Sequence, residues 1–171
     1  RVLQLMNRRY TKEGYLELVA RLKARIPDIA LTTDIIAGFP GELEEDFQET
    51  LDLVQKVRYD GAFTFIYSPR VGVPAAKLED PVPEAEKKRW LTDLINLQNR
   101  ISLEKNQAWV GQVTELLIDG PSERNPEVWS GRNSQNKLVH FAPIAGVKEG
   151  DFIHVKITKA QTFTLEGEIV Q

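Results

Sequence analysis

From Thr11 to Ile26 apolar residues return with helical spacing: Tyr15, Leu18, Val19, Leu22 and Ile26 fall on one stripe. Thr11 is placed to cap this helix, and Pro27 stops it because the residue before proline avoids the helical region. Ile29 to Phe39 then reads as a strand. Its run Ile35-Ile36-Ala37 is nearly continuous in apolar character, as in strands buried on both faces. Gly38-Phe39-Pro40-Gly41 predicts a tight turn, and Glu42, Glu44, Glu45 and Asp46 load negative charge into the start of the next helix, where the helix dipole favours it. Phe47, Leu51, Val54 and Val57 make the inner stripe of that helix, and Gly61 ends the unit. Ala62 to Tyr67 alternates through Phe63 and Phe65 as a second strand. Two strands, each paired with a helix, predict a βαβ unit and a parallel sheet.

Ser68 to Pro83 holds Pro69, Pro74, Pro81 and Pro83, which predicts an irregular loop over one end of the sheet. A long helix is expected from Glu84 to about Trp109, with Trp90, Leu94, Leu97, Ile101 and Ala108 on its inner side and Gly111 closing it. After Gly111 the period changes to two. Gln112–Ile118, Val128–Arg132, Lys137–Phe141, Phe152–Thr158 and Thr162–Val170 are short strand candidates separated by turn signals such as Asp119-Gly120-Pro121 and Glu149-Gly150-Asp151. In the fourth, Ile153, Val155 and Ile157 point one way, and His154, Lys156 and Thr158 the other. Such strands fit a small closed barrel of the OB kind. The expected architecture is therefore a partial α/β unit over residues 1–111 followed by a small all-β barrel over residues 112–171.

Composition narrows the chemistry. The 171 residues are 42% hydrophobic and 27% charged, which is globular and neither collagen-like nor disordered. There is no cysteine, so these residues supply no disulfide, thiolate zinc site, iron–sulfur ligand or cysteine nucleophile. His140 and His154 are the two imidazoles, too few for a His-rich metal site. A net charge of -3 gives no global basic footprint, so any nucleic-acid site must be a local patch. Nothing approaches a membrane span or a signal peptide, and the chain opens on Arg1, which suggests a cut from a longer cytoplasmic protein.

Several groups are candidates for function. The glycines of Gly38-Phe39-Pro40-Gly41-Glu42 either let the backbone approach an anionic or electron-rich ligand at a helix start or serve the geometry of the turn itself. Arg8, beside Met6, Arg9 and Tyr10, either pairs a carboxylate or is solvated. Asp34, inside an apolar strand, is either a site residue or a structural hydrogen-bonder. In the β half, Arg132, Asn133, Asn136 and Lys137 cluster around a turn with His140 and Phe141 just beyond, and Lys156 and Lys159 follow. Basic and amide groups beside an aromatic suit an RNA backbone and unstacked bases. The six Lys plus Arg against eight Asp plus Glu from Gln112 onward give that proposal no support from composition.

These residues carry a resemblance. Thr32-Thr33-Asp34-Ile35-Ile36-Ala37-Gly38-Phe39-Pro40-Gly41-Glu42 with Glu45-Asp46-Phe47 resembles the fifth-strand motif of the radical S-adenosylmethionine methylthiotransferases. Tyr67-Ser68-Pro69-Arg70, Gly72 and Pro74-Ala75-Ala76 are similar to that family's next strand and loop, and Met6-x-Arg8-x-Tyr10 to its preceding segment. The β half resembles a TRAM domain, and Gly131-Arg132 with Asn136-Lys137 resembles the branch that modifies tRNA.

The resemblance implies the C-terminal portion of an enzyme that adds a methylthio group to isopentenyl-adenosine beside the anticodon. Its cofactors would be S-adenosylmethionine and two 4Fe-4S clusters, with a reductant, and its partner a tRNA anticodon stem-loop. The fragment alone would be inactive, and the cluster cysteines would lie upstream of Arg1. By position, Arg8 would meet the methionine carboxylate, Asp34, Gly38 and Phe39 would lie near the cofactor, and Arg70 would stand beside the substrate opening. Arg132, Asn136, Lys137 and Phe141 would contact tRNA. The chain departs from the family at Leu43, where the missing Thr would cost a cap worth roughly 1 kcal/mol unless another side chain replaces it, and at Val71, Val73 and Asn133. The rival readings are a non-catalytic RNA-binding module and a methylthiotransferase acting on a ribosomal protein.

Overall fold

The computed structural model describes residues 1–122 and 125–170, so residue 171, the end of the expected β domain, lies outside it. The chain divides into two compact units, Arg1–Ile101 and Ser102–Gln171.

The first unit opens with a short helix α1 (Val2–Leu5), followed by α2 (Lys12–Arg25), β1 (Thr32–Ala37), α3 (Glu44–Val57) and β2 (Gly61–Ile66). A single 3-10 turn (Pro74–Lys77) interrupts the proline-rich loop before α4 (Glu84–Gln107). Thr11 caps α2 as expected, its Oγ1 accepting the Gly14 N–H at 3.2 Å. The N-cap of α3 is Leu43, which has no side-chain acceptor. Asp46 supplies one in the reverse direction by accepting the Leu43 N–H at 2.8 Å. Strands β1 and β2 pair in parallel, from Thr32 opposite Gly61 to Ala37 opposite Ile66.

The core joins Val19 of α2, Ala37 of β1, Phe47, Val54 and Val57 of α3, and Trp90, Leu94 and Ile101 of α4. Phe47 and Trp90 stack with ring centroids 5.2 Å apart, and the indole N–H donates to Glu44 Oε2 at 2.7 Å. Buried Tyr59 donates to the Tyr15 hydroxyl at 2.8 Å; burial and this bond push its own phenol well above the ordinary range.

Three expectations need correction here. Leu18 and Ile26 are exposed, because the inner face of α2 runs through Tyr15, Leu16 and Val19. Ala108 is exposed and lies past the end of α4. Strand β1 is not buried on both faces. Thr33, Ile35 and Ala37 turn inward, while Thr32, Asp34 and Ile36 are exposed beside Phe63 and Phe65 of β2. All the helical stripes join the Ile35 and Ala37 side, so the other face of the sheet is open and Phe63 is 71% exposed.

The second unit has five strands: β3 (Val113–Pro121), β4 (Trp129–Arg132), β5 (Leu138–Phe141), β6 (Phe152–Ala160) and β7 (Leu165–Ile169). They close into a barrel in the order β3-β4-β5-β7-β6, in which β5 and β7 are parallel and every other pair is antiparallel. This is the closed five-stranded barrel that the sequence predicts. Leu116, Ile118, Val139, Phe141, Val155, Ile157 and Leu165 fill it. Two glycines permit closure. A Cβ at Gly131 would lie 2.7 Å from the Leu117 carbonyl oxygen, and one at Gly167 would lie 2.4 Å from Val155 Cγ1. The last strand is shorter than expected because Gln161 N–H bonds the Thr164 carbonyl at 2.8 Å, folding residues 161–164 into a turn. Among the described residues, no helix is long and apolar enough to cross a membrane.

Candidate nucleic-acid interface and the turn after β1

At the end of β1 the backbone turns through Gly38 and Gly41, both in the left-handed region at φ 75° and 81°. Glu42 was expected at the start of a helix, but it belongs to this turn and is buried. Its Oε2 accepts the N–H groups of Gly38 at 2.6 Å and Phe39 at 3.1 Å. Burial raises its carboxyl above the ordinary glutamate range, against the opposing pull of those two donors. The donors that would greet an anion are therefore taken by the protein's own carboxylate. The glycines serve the geometry of the turn.

Gly38 has a second reason to lack a side chain. A Cβ there would lie 2.8 Å from Cγ and Cδ of Lys87, whose stem lies across the turn. Lys87 is buried, and its ammonium pairs with Asp80 in the proline-rich loop. Phe39 is also buried, meeting the Tyr67 ring edge-on at 5.1 Å. Gly38 and Phe39 thus shape the turn after β1, with both of their N–H groups bonded to Glu42. Sequence reasoning missed both Glu42 and Lys87 as its determinants. A carboxylate three or four residues after two adjacent backbone donors was the available signal for Glu42.

The remaining candidates of this unit are exposed. Arg8 follows α1, its N–H bonded to the Leu3 carbonyl at 2.8 Å and its side chain in solvent. Asp34 is not a buried carboxylate; it stands on the open face of the sheet, paired in register with Phe63. Arg70 is exposed in the loop after β2.

In the barrel, the turn joining β4 to β5 is built by Asn133. Its Oδ1 accepts the N–H groups of Gln135 at 3.0 Å and Lys137 at 2.9 Å. Asn136 takes the left-handed conformation at φ 58°, which asparagine tolerates better than most residues. Arg132 reaches across this turn, its Nη1 3.3 Å from both the carbonyl and the Oδ1 of Asn136, with Asp119 Oδ2 3.5 Å from its Nε. Arg132 and Asn136 are thus brought together at the surface. Two other proposed contacts are not. Phe141 is 3% exposed inside the barrel because its parity matches Val139, so its ring is no stacking platform. Lys137 is 9% exposed, which removes it from the set of freely presented cations.

The aromatic that does face outward is Phe152, at 66% exposure. Leu117 is register partner to both Arg132 on β4 and Phe152 on β6, and Arg132 is partner to Leu138 on β5. Paired residues share a face, so Phe152, Leu117, Arg132 and Leu138 form one outward row across four strands. His154 and Lys156 continue the same face along β6. The alternation in β6 carried the signal, since Phe152 has the parity of His154 and Lys156.

Both units have known relatives. Residues 1–54 match the radical SAM superfamily and residues 107–170 match the TRAM domain. The chain is 53% identical, over all of its length, to a tRNA-2-methylthio-N(6)-dimethylallyladenosine synthase of Acetivibrio thermocellus, of which it covers 35%. It is 54% identical over 99% of its length to the protein of that name from Moorella thermoacetica, covering 38% of it, and 51% identical over 99% to that of Geobacillus kaustophilus, covering 32%. The chain thus spans about a third of the length of the curated relatives it matches.

Proposed function

We propose that this protein, homologous along its whole length to the synthases named above, is a radical S-adenosylmethionine enzyme that adds a methylthio group to dimethylallyl-adenosine in tRNA. The observation that carries this reading is the match at about half identity over the whole chain, together with the radical SAM match of residues 1–54 and the TRAM match of residues 107–170. Residues 1–111 would contribute late strands of a partial α/β barrel, with the open face of β1 and β2 turned to its interior. Residues 112–171 would bind tRNA, at the anticodon stem-loop, in the cytoplasm. The tRNA in the relatives' names favours nucleic acid over a ribosomal protein as the substrate.

S-adenosylmethionine and two 4Fe-4S clusters, with a reductant, are the cofactors this chemistry requires. The clusters do not fit these residues. The chain has no cysteine, and among the described residues no group of three His, Asp or Glu is placed to hold a metal. Iron ligation would therefore fall to another part of the protein. In this reading Arg8 meets the methionine carboxylate, Asp34 lies toward the cofactor from the open sheet face, and Arg70 stands at the substrate opening. Gly38 and Phe39 act by shaping the turn between them, and Arg132 and Asn136 meet tRNA.

The test is to express the complete coding sequence containing this chain in a bacterium deleted for its own methylthiotransferase and to digest its tRNA to nucleosides. The methylthio-bearing adenosine should return in the mass spectrum. Continued accumulation of the unmodified dimethylallyl-adenosine would refute the proposal.

A further inference from the structure

We infer that Phe152 is the stacking platform for an unpaired base of the bound RNA, held in one row with the Arg132 guanidinium that takes an adjoining phosphate. This deepens the reading of the barrel as a tRNA binder and rests on it.

The row follows from backbone pairing. Phe152 and Arg132 both pair with Leu117, so one residue separates the ring from the guanidinium across the sheet. Neighbouring strands lie about 4.8 Å apart, which puts the two groups at a spacing a nucleotide can bridge. No ring among the described residues stacks on Phe152, and both it and Leu117 are exposed. Arg132 is held from two sides by Asp119 and Asn136, at 3.3 to 3.5 Å, while its Nη2 makes no bond among the described residues. An oriented guanidinium with an unused N–H edge suits a phosphate oxygen. Lys156 adds a second cation on the same face, with His154 between it and Phe152. Glu115, Asp119 and Glu168 are the acidic groups nearby, facing His154, Arg132 and Lys156 respectively, so Arg132 and not Lys156 is the cation the inference rests on. An apolar π-face beside a fixed cation matches how single-stranded nucleic acid is held, by stacking for the base and charge for the backbone.

The test is fluorescence anisotropy of a labelled, unmodified tRNA transcript titrated with the chain, across a salt series. Phe152→Ala should weaken binding by about 5- to 150-fold, the range for losing one stacked base, with the salt slope unchanged. Phe152→Trp should bind within about twofold of the parent, since stacking survives. Arg132→Ala should lower both affinity and salt slope, the latter by about one. An unpaired RNA oligomer should compete with the transcript and an RNA duplex should not.

Parent-like binding by Phe152→Ala, or equal competition by the duplex, would overturn the inference while leaving the tRNA reading intact. Failure of the parent chain to bind tRNA at any salt would overturn the reading itself. Concentration-dependent self-association of the parent, lost in Phe152→Ala and unaffected by RNA, would reassign the row to contact between copies. Because Phe152 is exposed, Phe152→Ala should melt with the parent, and recovery in Phe152→Trp separates lost stacking from lost fold.

Discussion

The two units manage their strands differently. In the barrel each of the five strands has a neighbour on both sides, so backbone donors and acceptors are met within the unit and one core lies inside. In the first unit a sheet of two strands has helices packed on one face, while the other presents Ile36, Phe63 and Phe65 to solvent. Apolar patterning means different things in the two places. In the barrel it reports which side chains the unit itself encloses. In the sheet it reports a face that these residues leave uncovered.

The separation of the two cores can be broken or sharpened by substitution. The largest effect is expected for Trp90→Ala, which removes the Phe47 stack and the Glu44 bond and should cost about 3–5 kcal/mol. Hydrogen exchange should show lost protection in α3 and β1 with barrel amides unchanged. Equal loss in both units would show that the cores are not separate. Gly167→Ala is the converse, forcing a methyl group against Val155 and the Lys156 carbonyl oxygen. It should destabilise the barrel by about 1–3 kcal/mol and leave protection of α3 intact.

Glu42 gives a third and smaller lever. Glu42→Leu strands the N–H groups of Gly38 and Phe39, at about 1–3 kcal/mol, and its effect should be confined to the first unit. Glu42 also predicts a pH response. Its pKa is raised on folding, so the folded state holds the proton more tightly. The stability this contributes is complete below the unfolded pKa and is lost as pH rises through the folded value. Glu42→Gln should flatten that decline in urea midpoints measured from about pH 4 to about pH 7. The smallest effect is a gain. Leu43→Thr gives α3 a side-chain cap and should add about 0.5–1 kcal/mol, read as a higher melting temperature for the first unit alone.

Much of the barrel was legible because β6 is nine residues long and alternates cleanly from Phe152 to Ile157. The four-residue strands β4 and β5 offer too few alternations to fix which side faces in, so Phe141 looked available and was not. Lys137 misled for a different reason, since a basic residue is expected in water and only the folded turn, where Asn133 Oδ1 takes its N–H, leaves it buried. In the sheet, Ile35-Ile36-Ala37 states only that both faces are apolar. The open face depends on where α2, α3 and α4 pack, which is tertiary information. The role of Glu42 was hidden by its neighbours. In a run of Glu42, Glu44, Glu45 and Asp46 the helix dipole explains every acid, and only the folded turn separates the one that is buried.

The pairing order of the barrel also bears on how it is made. The strand that joins β5 to β6 is β7, the last of the five along the chain. On a ribosome β3 to β6 emerge first, and until Leu165–Ile169 follow, β5 and β6 each carry a bare edge able to pair with any other strand nearby. Completion of this unit therefore waits on its final few residues. A deletion that removed only Leu165–Ile169 would leave a sheet open on two sides, a substrate for aggregation and for chaperones.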